Sequence, residues 1–190
     1  MRRTAALASL LLALAMGAAH AKECNGVNFP EHLQLDGIDL TLNGLGTRKA
    51  TFLKVNVYVA ALYVSRPSHN PKTLIESSDP DELILQFVRS VGTDDLKKAW
   101  SEGFERNSKD QLVVLKGRIA MLNGWMSDLK TGQRLSFIHR PGVGLQVDVN
   151  GAVKGTIEGE DFARAFLSIW LGAMPPNTEL KSGLLGGECG

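Results

Sequence analysis

Arg48, Asn56 and Tyr58 are the side chains of this 190-residue chain best suited to acting on a ligand. A guanidinium carries a permanent charge and five N–H donors, and a phenol adds one more donor. Together they can hold an anion or polarise a carbonyl oxygen. All three sit at even positions, so a strand running through them shows them on one face. Read as one straight strand, however, residues 48 and 58 lie about 33 Å apart at ~3.3 Å per residue. A joint site then needs a bend or reversal, and no Gly, Pro, Asp or Asn between Lys49 and Val55 marks one. Without it, Arg48 closes a strand-end turn at residues 44–47 and Tyr58 fills a half-buried sheet face. Trp100 and Phe104 add an aromatic stripe at helical spacing, suited to lining a tail channel or to plain core.

Other chemistry is thinly represented. His32, His69 and His139 have no metal-ligand spacing and read as surface or half-buried histidines. Asp94 with Asp95 and Glu158 with Glu160 stand at helix starts, where dipole complement accounts for them. No G-x-S-x-G, P-loop, H-E-x-x-H or dinucleotide fingerprint occurs, so no cofactor or metal is expected.

The elements that must position these residues follow from periodicity. Residues 51–64 alternate, with Leu53, Val55, Val57, Val59 and Ala61 on a dry face and a more tolerant even face, which predicts the central strand. Residues 32–35 and 38–42 flank Asp36-Gly37 as a hairpin. Pro71 opens a short helix through residue 76. Residues 79–89 carry both a helix-start signal and a strand-length apolar run, and are read as strand. Two helices follow, one capped by Thr93 and one opened by a capping box at residues 108–111. Strands at 133–140, 144–149 and 152–158 come next, the last two joined by Asn150-Gly151. Helices at 160–171 and 178–185 close the chain. This order predicts an α+β fold, a large, mostly antiparallel sheet with helices layered on one face.

Arg2 and Arg3, an apolar run to Met16 and the sequence Ala19-His20-Ala21 read as a secretory signal peptide over residues 1–21, leaving one domain at 22–190. The apolar run is short of the roughly 20 residues that span a bilayer. Signal removal leaves 19 basic against 20 acidic residues, which gives no footprint for nucleic acid. Cys24 and Cys189 lie at opposite ends of the mature chain. In an oxidising compartment they pair most simply with each other, the alternative being free or intermolecular thiols on frayed ends.

Taken as a set, Leu42-Asn-Gly-Leu-Gly-Thr-Arg48, Lys54-Val-Asn-Val-Tyr-Val-Ala-Ala-Leu-Tyr63, Trp100-Ser-Glu-Gly-Phe104 and Ile169-Trp-Leu-Gly172 with Leu184-Leu-Gly186 resemble the bacterial chalcone isomerase-like family. The resemblance spans the mature chain in order. It implies an open-faced β-sandwich with a ligand cleft between sheet and helices. It also implies that Arg48 matches the arginine that polarises the ligand oxygen in plant chalcone isomerases, or that holds the carboxylate in related fatty-acid-binding proteins. Tyr58 matches the strand tyrosine of those binding proteins after a small gap. Where the isomerases place a tyrosine and an asparagine on a following helix, this chain has Asp95 and Glu102, a departure that argues against a flavonoid cyclase. The leading expectation is a non-catalytic periplasmic binding protein for a fatty acid or similar apolar carboxylate, held by Arg48, Tyr58, Asn56, Trp100 and Phe104. An isomerase acting on a phenolic or enone substrate and an envelope interaction module are the alternatives.

Overall fold

A computed structural model describes residues 20–50, 53 and 55–190. Nearly all of the expected signal peptide, residues 1–19, lies outside the described residues, as do Thr51, Phe52 and Lys54 of the expected central strand. Two strands, β1 (Ala21–Cys24) and β2 (Val27–Pro30), form a small ribbon. The next seven form one fully antiparallel sheet whose order follows the chain: β3 (His32–Leu35), β4 (Ile38–Ala50), β5 (Val55–Val64), β6 (Asp81–Phe87), β7 (Arg134–Arg140), β8 (Gly144–Val149) and β9 (Ala152–Glu158). Helix α1 (Pro71–Ile75) lies between β5 and β6, α2 (Thr93–Asn107) and α3 (Leu112–Trp125) between β6 and β7, and α4 (Glu160–Leu171) and α5 (Thr178–Leu184) after β9. Residues 79–89 are thus strand at their centre, as the apolar run predicts.

Turn chemistry explains the hairpins. Asp36-Gly37 and Asn150-Gly151 both take positive φ at each residue, the geometry that matches strand twist in a two-residue turn. Asn25-Gly26 does the same between β1 and β2, a hairpin that the sequence reading missed although the same dipeptide signal was there. The two cap assignments are corrected. Gly92 precedes α2, while Thr93 is held from outside by Asp128 Oδ1, 2.8 Å from its N–H and 2.7 Å from its hydroxyl. Ser108 enters a short 3₁₀ turn and makes no side-chain cap for α3.

Alternation along β5 sorts its side chains differently from the expected dry and tolerant faces. Tyr58, Ala60, Leu62 and Val64 pack under the helices, whereas Val59, Ala61 and Tyr63 pack with Phe29, Leu40 and Ile84 on the opposite face. That second face is closed here by the ribbon, to which the Tyr63 hydroxyl donates at Pro30 O, 2.8 Å. Both faces are therefore dry from residue 58 onward. The Cys24–Cys189 disulfide, Cα atoms 5.8 Å apart, ties the ribbon to the C-terminal tail. Beside it Thr47 N–H donates to Cys189 O at 3.0 Å.

His139 is corrected from a surface or half-buried residue to a buried one. Its Nδ1 lies 3.1 Å from Asp81 Oδ2 and its Nε2 lies 2.8 Å from Glu160 Oε2, which joins β6, β7 and the start of α4. Burial acts against the imidazolium, but Asp81 and Glu160 outweigh it and hold its pKa above the ordinary 6.5. For Glu160, burial is outweighed by the Gly142 N–H and His139, leaving it below its ordinary 4.5. Burial leaves Asp81 above its ordinary 3.8 despite His139. The His139 contribution is full below pH 6.5 and is lost as pH rises through its raised folded value; the Asp81 shift has the same sign. The Glu160 contribution is full above pH 4.5 and is lost as pH falls through its depressed value. On the alkaline side His139 and Asp81 act together, whereas on the acid side Asp81 opposes Glu160, so the urea midpoint should decline as pH rises through the raised His139 value. His139→Gln should flatten the alkaline decline and cost about 1 kcal/mol near pH 6; a midpoint series unchanged by the substitution would count against this account.

Candidate ligand-binding cleft

The chain reverses between Ala50 and Val55, so β4 and β5 are antiparallel neighbours and Arg48 stands directly opposite Tyr58. The large separation of the straight-strand reading is thereby replaced by the ~5 Å of cross-strand partners. Residues 44–47, expected as a turn, are strand. Gly44 and Gly46 are needed there because α5 lies against the β4 backbone: a Cβ on Gly44 would come within 2.8 Å of Gly186 N, and one on Gly46 within 2.9 Å of Leu180 Cδ1.

A second irregularity decides which side chains face the ligand space. Arg48 pairs with Tyr58 but Lys49 pairs with Asn56, so Val57 is the extra residue of a bulge. Val57 and Tyr58 both line the cleft, and Asn56 does not. Simple parity, which grouped Asn56 with Tyr58, fails at that extra residue.

The cleft between the sheet and α2 has a volume of about 450 Å³, within the range of small-molecule sites. One wall is the face of α2 that presents Leu96, Ala99, Trp100 and Gly103; the other is sheet, with Ala50, Val57, Tyr58 and Phe87. Ile169, Met174 and Pro176 complete it. Trp100 lines the cleft as expected from the sequence. Phe104 does not: it is fully buried with ring centroids 5.6 Å from Phe162 and 6.2 Å from Phe166. One turn along α2 separates a cleft wall from a core residue. Charged groups mark the edges: Arg89 and Asp95 near the start of α2, and Arg106 towards its end, where it pairs with Glu102 at 2.9 Å. A second hollow of about 550 Å³ is lined mainly by loop residues between Ser65 and Asp81, most of them polar, and has no comparable apolar wall.

At the head of the cleft, Arg48 Nη1 donates to Asn177 Oδ1 at 2.9 Å, to Pro176 O at 3.5 Å and to Lys49 O. Its Nε and Nη2 have no partner among the described residues, and no carboxylate there pairs with it. The Tyr58 hydroxyl accepts the indole N–H of Trp170 at 3.0 Å, which leaves its own proton to donate. Burial pushes the phenol up to about 12, with Trp170 and the Arg48 charge pulling the other way. Tyr58 is therefore a neutral donor at any ordinary pH. Asn177 and Trp170 were not foreseen as functional residues. Both lie far along the chain, and the Pro175-Pro176 break announces a turn without showing what Asn177 will reach. Among the described residues no group of three or more His, Cys, Asp or Glu is arranged to hold a metal.

A curled antiparallel sheet covered by helices, with a cleft between the layers, defines an α+β open-faced β-sandwich of the chalcone isomerase-like fold. The chalcone isomerase-like family model matches residues 21–186, and the chain belongs to that family. Among solved structures the chain is similar to the crystal structure of an Arabidopsis thaliana fatty-acid binding protein, with a TM-score of 0.65 and 17% identity over 84% of this chain and 92% of that one. A search of the curated proteins returns no match.

Proposed function

We propose that this chain is a periplasmic, non-catalytic binding protein for a fatty acid or a similar apolar carboxylate. The observation that carries the reading is the meeting of free Arg48 donors and the Tyr58 hydroxyl proton at the head of an apolar cleft. The likeness in fold to the Arabidopsis thaliana fatty-acid binding protein supports it. The signal-like N-terminus and the Cys24–Cys189 bridge support an oxidising envelope compartment.

In this reading the head group meets Arg48 and Tyr58, and the chain lies along Leu96, Ala99, Trp100 and Ile169. A charged hydrogen bond contributes about 1.5–3 kcal/mol net, and each buried methylene about 0.8 kcal/mol. A long chain thus supplies most of the affinity, and the arginine sets its direction. The isomerase reading is supported less well. Asp95 and Glu102 do line the cleft, but Glu102 is engaged by Arg106, and Tyr58 stays protonated. An interaction module without a ligand accounts poorly for an open apolar cleft of this size.

Titration with a fluorescent long-chain fatty acid, joined to native mass spectrometry of protein recovered from its own cells, tests the proposal. Saturable one-to-one binding and a co-purifying acyl chain are expected. Ala99→Trp, which places an indole in the tail space, should weaken binding about tenfold or more, since a filled site cannot take the chain. Absence of saturable binding to the unaltered protein would refute the proposal.

A further inference from the structure

Resting on that reading, we infer that Trp170 and Asn177 are positioning residues that make the head of the cleft donor-only, so that it selects an ionised carboxylate over an alcohol of equal chain length. An indole N–H can donate and never accept. By occupying the Tyr58 oxygen at 3.0 Å, Trp170 directs the phenolic proton away from itself. Both rings are buried, Trp170 at 0% and Tyr58 at 6% exposure, so solvent offers little competition for that bond.

Asn177 does the corresponding work on Arg48. Its Oδ1 accepts from Lys49 N–H at 3.0 Å and from Arg48 Nη1 at 2.9 Å, which pins one corner of the guanidinium to the β4 backbone. Pro176 O takes a further contact from the same nitrogen. The Nε and Nη2 edge, without a partner among the described residues, is left for a ligand. Among the described residues, each acceptor that touches Arg48, like the Tyr58 oxygen that meets Trp170, already takes a hydrogen bond, and the free edges of Arg48 and Tyr58 are N–H and O–H.

The consequence is chemical selectivity. A carboxylate offers about four lone-pair sites and no proton, so each free donor finds an acceptor. An alcohol can accept from Arg48 or Tyr58, but its own proton then faces only donors, and a buried unsatisfied proton is costly. The cleft's own carboxylates do not relieve this. Glu102 is held by Arg106 and Lys98, and Asp95, in the first turn of α2, makes no ion pair with Arg48 among the described residues.

The test measures dissociation constants for dodecanoate and 1-dodecanol with the unaltered protein, Trp170→Phe and Asn177→Leu, and follows the indole ¹⁵N–¹H resonances. The unaltered protein should prefer dodecanoate at least tenfold. Trp170→Phe frees the Tyr58 oxygen to accept, so the preference should fall about tenfold, largely through tighter dodecanol. Asn177→Leu should lower it through weaker dodecanoate. In the spectrum, Tyr58→Phe should shift the Trp170 indole signal and leave Trp125 in place, a readout that needs no ligand and survives if Trp170→Phe fails to fold. Equal affinity for both probes, or a preference unchanged in Trp170→Phe, overturns the inference while the acyl-binding reading stands. An indole signal indifferent to Tyr58→Phe overturns it as well. Binding of neither probe removes the acyl-binding reading and this inference with it.

Discussion

Arg48→Ala should weaken binding of a long-chain carboxylate roughly 10- to 150-fold, the equivalent of one charged hydrogen bond of about 1.5–3 kcal/mol. The guanidinium is the one cation at the head of the cleft whose partners among the described residues are all neutral: two backbone carbonyls and the Asn177 amide. No carboxylate among the described residues pairs with it, which leaves it able to meet an incoming anion. Stability should change by less than about 1 kcal/mol, because Lys49 N–H keeps hold of Asn177. Arg48→Lys should recover only part of the affinity, since an ammonium cannot keep the Asn177 contact and offer a planar edge as well. Calorimetric titration with dodecanoate beside urea unfolding separates the two quantities. Undiminished affinity in a folded Arg48→Ala protein would remove the arginine from the site.

Cys24→Ser, alone or with Cys189→Ser, should be the most damaging change to stability. The bridge closes a loop with a sequence separation of 165, and chain-entropy arithmetic assigns such a loop about 5 kcal/mol. That is a third or more of the roughly 5–15 kcal/mol that separates folded from unfolded domains. The loss has a local route into the site. The bridge holds the tail against Thr47, the neighbour of Arg48, and the tail follows α5, which begins just after Asn177. Reductant should lower the urea midpoint of the unaltered protein and leave that of the double variant where it is. A double variant as stable as the unaltered protein would contradict the loop argument.

Element types were readable because local rules agreed with the fold. Asp36-Gly37 and Asn150-Gly151 could make tight turns wherever they fell, and the α4 stripe of Phe162, Phe166 and Ile169 needed a sheet to cover it. The disulfide could be foreseen because the chain has two cysteines and termini that can meet. The site was legible in its residue types and far less in its geometry. Its central fact, the reversal that sets Arg48 against Tyr58, occurs where no turn residue announces it. The Val57 bulge then exchanges which neighbours of Tyr58 face the ligand, an effect of register that period-two reading has no means to register. Phe104 was misplaced for a related reason: a helical stripe gives the angle of a side chain about the helix, but whether it meets a void or a neighbour depends on α4. Trp170 and Asn177 act through contacts 112 and 129 residues distant in the chain, beyond the reach of any local pattern.

Because the seven strands of the sheet are neighbours in the order in which they are made, each can dock on its predecessor as soon as it emerges, and the sheet can grow like a zip from the amino end. The Cys24–Cys189 cross-link joins the first strand to a residue beyond all seven, so the thiol of Cys24 must wait for its mate until the whole sheet has been made. With no cysteine between residues 24 and 189 to trap it first, oxidation within the monomer is favoured in molecules whose sheet has already closed the distance.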